Sequence, residues 1–84
     1  MIYTDKTKKA MKLCFDAHKE QTDKSGLPYV FHPFHLAEQM AEEECVIVAL
    51  LHDVVEDTEY TIDQIREETS IYPMIISQLL LKYH

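Results

Sequence analysis

The chain has 84 residues, 46% hydrophobic and 27% charged, the length of one small domain and the composition of a folded one, which excludes two cores, disorder and a fibrous repeat. One glycine and three prolines are too few for an all-β sandwich or barrel, whose turns recur about every 8–12 residues, so the fold class expected is all-α. A net charge of −7 from 15 acids and 8 bases repels nucleic-acid phosphates and anionic lipid, and argues against nucleic-acid or membrane partners.

The charge is uneven. Residues 1–24 carry six of the eight bases, whereas residues 38–68 carry eleven acids and Arg66 as their one base. Cys14 and Cys45 both sit in apolar runs and read as small buried thiols of a reducing, cytoplasmic protein. No apolar run reaches 18 residues and the first ten residues lack a signal-peptide stretch, so a soluble, unexported chain is expected.

From Thr4 to about Gln21, Ala10, Leu13, Cys14, Ala17 and Gln21 recur at three and four, the stripe of an amphipathic helix capped by Thr4 or Asp5. Residues 22–31 hold Gly26 and Pro28 and read as a structured loop, with Tyr29 and Phe31 tucked onto the core. Pro33 suits the first turn of a second helix. Glu42, Glu43 and Glu44 precede CVIVALL, a run expected to be buried on all sides in a central helix from about Glu43 to Val55. Thr61 and Gln64 have capping-box spacing for a short fourth helix ending near Ser70, with Ile62 and Ile65 facing inward. Ile71, Ile75, Leu79 and Tyr83 then recur at helical spacing behind Pro73, giving a fifth helix.

The chemistry concentrates in Leu51-His52-Asp53-Val54-Val55-Glu56-Asp57-Thr58. Helical spacing sets His52 over Glu56, and Asp53 over Glu56 and Asp57. Three acids at a helix C-terminus oppose the dipole at about 0.3–1 kcal/mol each and repel one another, so a cation should compensate. A lysine from the first helix or loop would serve, as would a divalent metal, and an imidazole among carboxylates suits Mn, Fe or Zn. The plainer reading is a helix-end cap or a satisfied core pair. His32, at the junction before Pro33, could join His52 and Asp53 as a third ligand and leave positions open for water. His18 and His35 read as structural hydrogen-bonding groups near apolar neighbours. His84 reads as solvated and Phe34 as core. No H-E-x-x-H, P-loop, dinucleotide loop or paired C-x-x-C occurs.

Ala17-His18, the loop Lys24-Ser25-Gly26-Leu27-Pro28-Tyr29, His32-Pro33 and the run from Ala49 to Thr58, with Thr61 beyond, occur in the order found in the HD-domain metal-dependent phosphohydrolases. Within that superfamily the chain resembles the N-terminal part of the RelA/SpoT-type hydrolase domain. The resemblance implies a single HD-type domain over residues 1–84, a helical bundle of about five helices truncated relative to the family fold. It further implies release of pyrophosphate from the 3′ position of ppGpp or pppGpp. Mn²⁺ or another divalent transition metal would be held by His32, His52 and Asp53, with Glu56 and Asp57 acting on the attacking water and Lys24 and Ser25 on the nucleotide. The chain departs from the family at Asp23, where the family usually has the first of two bases, and the family's fourth metal ligand, a later aspartate, has no counterpart after Asp63. The alternatives are a catalytically inactive fragment serving as an interaction module, and a hydrolase of another nucleotide. If absent helices normally cover Val46, Val48, Leu50 and the Ile75–Leu81 stretch, the exposed apolar surface would favour a homo-oligomer.

Overall fold

The computed structural model describes residues 1–70. The fifth helix expected after Ser70, with Ile71, Ile75, Leu79 and Tyr83, lies outside the described residues, as does His84. The described residues form four helices, α1 Asp5–His18, α2 Phe31–Glu38, α3 Glu43–Asp57 and α4 Ile62–Thr69. They contain no strand beyond one isolated antiparallel bridge between Thr22 and Pro28. The expected all-α architecture stands.

Local chemistry sets the helix ends. Thr4 and Thr7 close a reciprocal capping box on α1: Thr7 N–H donates to Thr4 Oγ1 at 3.2 Å, and Thr4 N–H to Thr7 Oγ1 at 2.7 Å. Thr61 and Gln64 repeat the device on α4, as their spacing predicts. At the far end of α4 Ser70 takes a left-handed conformation, φ 53°, and its N–H donates to Arg66. Lys6 Nζ donates to the Ser70 carbonyl at 2.9 Å, pinning this end of α4 to the start of α1.

α3 is the axis of the domain, packing against α1 on one side and α2 on the other, while α4 lies on α1. Val46, Ile47, Leu50, Leu51 and Val54 are fully buried with Ala10, Cys14, Ala37 and Ile65. Each large aliphatic side chain so buried contributes about 1.5–3 kcal/mol of transfer free energy. Among the described residues no helix is long and apolar enough to cross a membrane.

Four expectations need correction. CVIVALL is not buried on all sides and Cys45 is not a buried thiol: Cys45 is exposed and Val48 half-buried, because the first two turns of α3 still present one face to solvent. Phe31 is 62% exposed, since the loop ends one residue earlier than expected and Phe31 becomes the first residue of α2, turned outward, while Val30 and Pro33 take the buried positions. His35 is exposed on α2, so it is not the buried structural hydrogen-bonding group that its reading beside His18 suggested. Val46 and Leu50 are fully buried, so the apolar surface expected to drive oligomer formation is absent at those positions.

Candidate active site

The C-terminal turns of α3 carry the acidic constellation. The carboxylates of Asp53, Glu56 and Asp57 have oxygens all within 4.8 Å of one another, Asp53 half-buried and the other two exposed. Thr58 closes this end of the helix by donating its hydroxyl to the Val54 carbonyl at 2.5 Å and accepting from Tyr60 N–H. No base occupies the last turn of α3, so the charge mismatch expected from the sequence is present in the fold.

His52 and Asp53 are adjacent in the chain and converge in space. His52 Nδ1 lies 2.9 Å from the Ala49 carbonyl, to which it can only donate. That tautomer turns the Nε2 lone pair toward Asp53 Oδ1, 3.1 Å away. Two lone pairs at that separation require a positive charge between or upon them, either a proton on Nε2 or a cation. The donor set therefore fits a metal of the kind that takes mixed nitrogen and oxygen ligands.

His32 sits in the first turn of α2, and it lines one cavity of about 390 Å³ with His52, Asp53, Tyr29, Pro33 and Leu36. The three residues expected to share an ion thus line a common space, but among the described residues the set whose ligating atoms all lie within 4.8 Å of one another is Asp53, Glu56 and Asp57, and the expected triad is not such a set. His32 Nε2 is 3.2 Å from Asp23 Oδ2. Lys24 and Ser25 line a second cavity of about 490 Å³ together with Thr22, Asp23, Tyr29 and His32. Tyr29 and His32 belong to both.

The loop between α1 and α2 is organised by residues whose roles the sequence did not suggest. Asp23 Oδ1 accepts from the backbone N–H groups of Ser25 at 2.8 Å and Leu27 at 3.0 Å. These bonds, the Leu27 one foremost, together with His32, hold the Asp23 carboxyl below its usual range. Gly26 adopts φ +83° with open space where a side chain would stand, so backbone conformation and not crowding requires glycine there. The Asp23-x-Ser25-Gly26 order is a turn signature that reading Asp23 as a lost base obscured.

Tyr29 is half-buried, its ring between His18 and His32 with centroids at 5.0 and 5.4 Å, and its hydroxyl donates to Asp53 Oδ2 at 2.6 Å. That hydrogen bond, then burial and the charges of Asp53, Asp57 and Glu56, push the phenol well above its ordinary range, so it remains a donor. Behind it, His18 is fully buried and its Nδ1 meets Gln21 Oε1 at 2.8 Å, the structural role expected for it. Its buried Nε2 has no hydrogen-bond partner among the described residues. Cys14, buried as expected, has its thiol pushed up to about 12 by burial and secondarily by the Asp53 charge.

No family model matches the chain. Among curated proteins, it is 49% identical over 57 residues, 63% of the chain, to a guanosine-3′,5′-bis(diphosphate) 3′-pyrophosphohydrolase of Haemophilus influenzae. It is 38% identical over 69 residues, 77% of the chain, to the protein of the same name in Aquifex aeolicus. The bifunctional (p)ppGpp synthase/hydrolase SpoT of Escherichia coli is 50% identical over 50 residues, 55% of the chain. The chain is thus related to the hydrolase region of RelA/SpoT-type proteins. It spans 8%, 10% and 7% of the lengths of these three relatives.

Proposed function

We propose that this domain carries the metal-binding and acid–base groups of a hydrolase that removes pyrophosphate from the 3′ position of ppGpp or pppGpp. The observation that supports the reading is that His32, His52 and Asp53 line one cavity, with Glu56 and Asp57 a turn beyond Asp53, in a chain whose relatives bear that activity in their names.

His32, His52 and Asp53 would hold Mn²⁺ or another divalent transition metal, which when bound would polarise the phosphate and the attacking water. Glu56 and Asp57 stand as exposed carboxylates at the rim of the Asp53 cluster, where one can accept the proton of that water as its oxygen attacks the phosphorus on the ribose 3′ oxygen. The bond between that phosphorus and the 3′ oxygen breaks, the ribose oxygen takes up a proton, and GDP or GTP leaves with pyrophosphate. Lys24 and Ser25 line the adjoining cavity and would hold the nucleotide's phosphates. Lys24 and the metal together would offset most of the charge of Asp23, Asp53, Glu56 and Asp57, which lowers the repulsion that a chain of net charge −7 presents to a polyphosphate.

The test is pyrophosphate release from ppGpp by the purified chain with Mn²⁺, beside an EDTA control and His52→Ala. Turnover abolished in both controls is the expected result. A folded, Mn²⁺-binding chain that releases no pyrophosphate would overturn the catalytic reading.

A further inference from the structure

Tyr29 occupies the wall between the two cavities and lines both. Its placement is fixed on every side. The backbone N–H donates to the Gln21 carbonyl at 2.8 Å, the carbonyl accepts from His32 N–H at 3.0 Å, and the ring contacts the imidazoles of His18 and His32. With two side-chain torsions and a ring in contact with two imidazoles, the hydroxyl reaches Asp53 Oδ2 at 2.6 Å. The bond joins the loop before α2 to the end of α3, across 24 residues of sequence.

A carboxylate has two oxygens and can bind a cation with one or with both. In Asp53 they are not equivalent: Oδ2 is engaged by the Tyr29 hydroxyl, and Oδ1 lies 3.1 Å from His52 Nε2. We propose that Tyr29 is a positioning residue, which by donating to Oδ2 locks the rotation of the Asp53 carboxylate and makes Oδ1 the single atom offered to a divalent cation beside His52. This rests on reading Asp53 as a metal ligand. Groups that hydrogen-bond a ligating carboxylate usually change metal affinity by about 10–100-fold when removed.

Tyr29→Phe separates the hydroxyl from the ring, since it keeps the contacts with His18 and His32 and removes only the donor. Mn²⁺ binding to the wild-type chain, Tyr29→Phe and Asp53→Asn is measured by titration calorimetry, with the free-ion electron-spin resonance signal as a second readout and circular dichroism to establish folding. The expected result is Mn²⁺ affinity weakened by about 10-fold or more in Tyr29→Phe at retained helicity, and no further weakening when the same change is made in Asp53→Asn. Equal affinity in Tyr29→Phe and wild type would overturn the positioning role and leave the metal reading standing. Equal weakening by Tyr29→Phe with and without the Asp53 carboxylate would overturn it too, since the hydroxyl would then act elsewhere. A wild-type chain that binds no Mn²⁺ would overturn the metal reading, and this inference with it.

Discussion

The side-chain amide of Gln21 donates to the backbone carbonyl of Asp57 at 3.0 Å, tying the chain just after α1 to the last residue of α3. The same amide's oxygen accepts from His18 Nδ1, so one side chain satisfies a buried imidazole and an otherwise orphaned helix-end carbonyl. The end of α3 that carries Glu56 and Asp57 is thereby anchored on α1, 36 residues away in sequence.

Gln21→Ala should therefore destabilise the fold although Gln21 is not fully buried. It leaves the His18 N–H buried without an acceptor, at a cost of about 1–3 kcal/mol. In a domain of this size each kcal/mol lowers Tm by about 4–8 °C, a shift that thermal unfolding followed by circular dichroism reads directly. Gln21→Glu keeps an acceptor for His18 but sets a carboxylate against the Asp57 carbonyl, so it should fall between wild type and Gln21→Ala. A Tm unchanged in both variants would mean that the bridge contributes nothing.

The two thiols should behave differently. Cys45 is exposed, whereas Cys14 is fully buried with its thiol at about 12 against an ordinary 9.0. In the native chain near pH 8 a disulfide reagent should titrate one thiol quickly, and the second only after unfolding. The linkage has a definite sign: folding raises the Cys14 pKa, so its contribution is complete below pH 9, where the unfolded thiol is also protonated. It is lost as pH rises from 9 toward 12. Cys14→Ala should show a shallower loss of stability across that window than wild type in denaturant titrations.

The helices were largely legible because their signals are local. Capping pairs at Thr4 and Thr61, the acidic lead into α3 and the spacing of Ala10, Leu13 and Cys14 each act within a few residues. The clustering of Asp53, Glu56 and Asp57 was legible from helical spacing, whereas His32 was joined to His52 and Asp53 only through the order of motifs. Phe31 and Cys45 were misjudged because hydrophobicity says that a side chain can be buried, while the helix phase set by neighbours such as Val30 and Val46 decides whether it is. The hydrogen bonds of Tyr29 and Gln21, two residues read only as a core aromatic of the loop and a member of the first helix's stripe, were missed for a different reason: their partners lie 24 and 36 residues away, and no local pattern encodes a long-range hydrogen bond.

Asp23 organises its loop through Oδ1 and meets His32 through Oδ2, so two substitutions separate these duties. Asp23→Ala removes both and should speed amide hydrogen exchange at Ser25 and Leu27, while raising KM for ppGpp more than it lowers kcat, because the Lys24–Ser25 cavity loses its frame. Asp23→Asn retains an acceptor for the two amides and removes a negative charge from the cavity wall. It should preserve slow exchange and tighten nucleotide binding. Fast exchange in Asp23→Asn would show that the carboxylate's charge, and not its turn geometry, holds the loop.

Glu56→Gln and Asp57→Asn distinguish proton transfer from metal binding. Removing a general base lowers kcat by about 10²–10⁴-fold, and the residue with that role should show such a loss while Mn²⁺ affinity changes far less than in His52→Ala. Both carboxylates are exposed, and Asp57 is the stronger candidate because Gln21 grips its backbone carbonyl and so restricts where its carboxylate can reach. Both carboxylates also oppose the α3 dipole and repel Asp53, so in the metal-free chain each amide should raise stability by about 0.3–1 kcal/mol. An amide variant that gains stability without metal and loses turnover with it would identify a carboxylate kept for chemistry at the expense of the fold. If kcat and Mn²⁺ affinity fell together in both variants, the two acids would be ligands, and the base would have to be sought elsewhere.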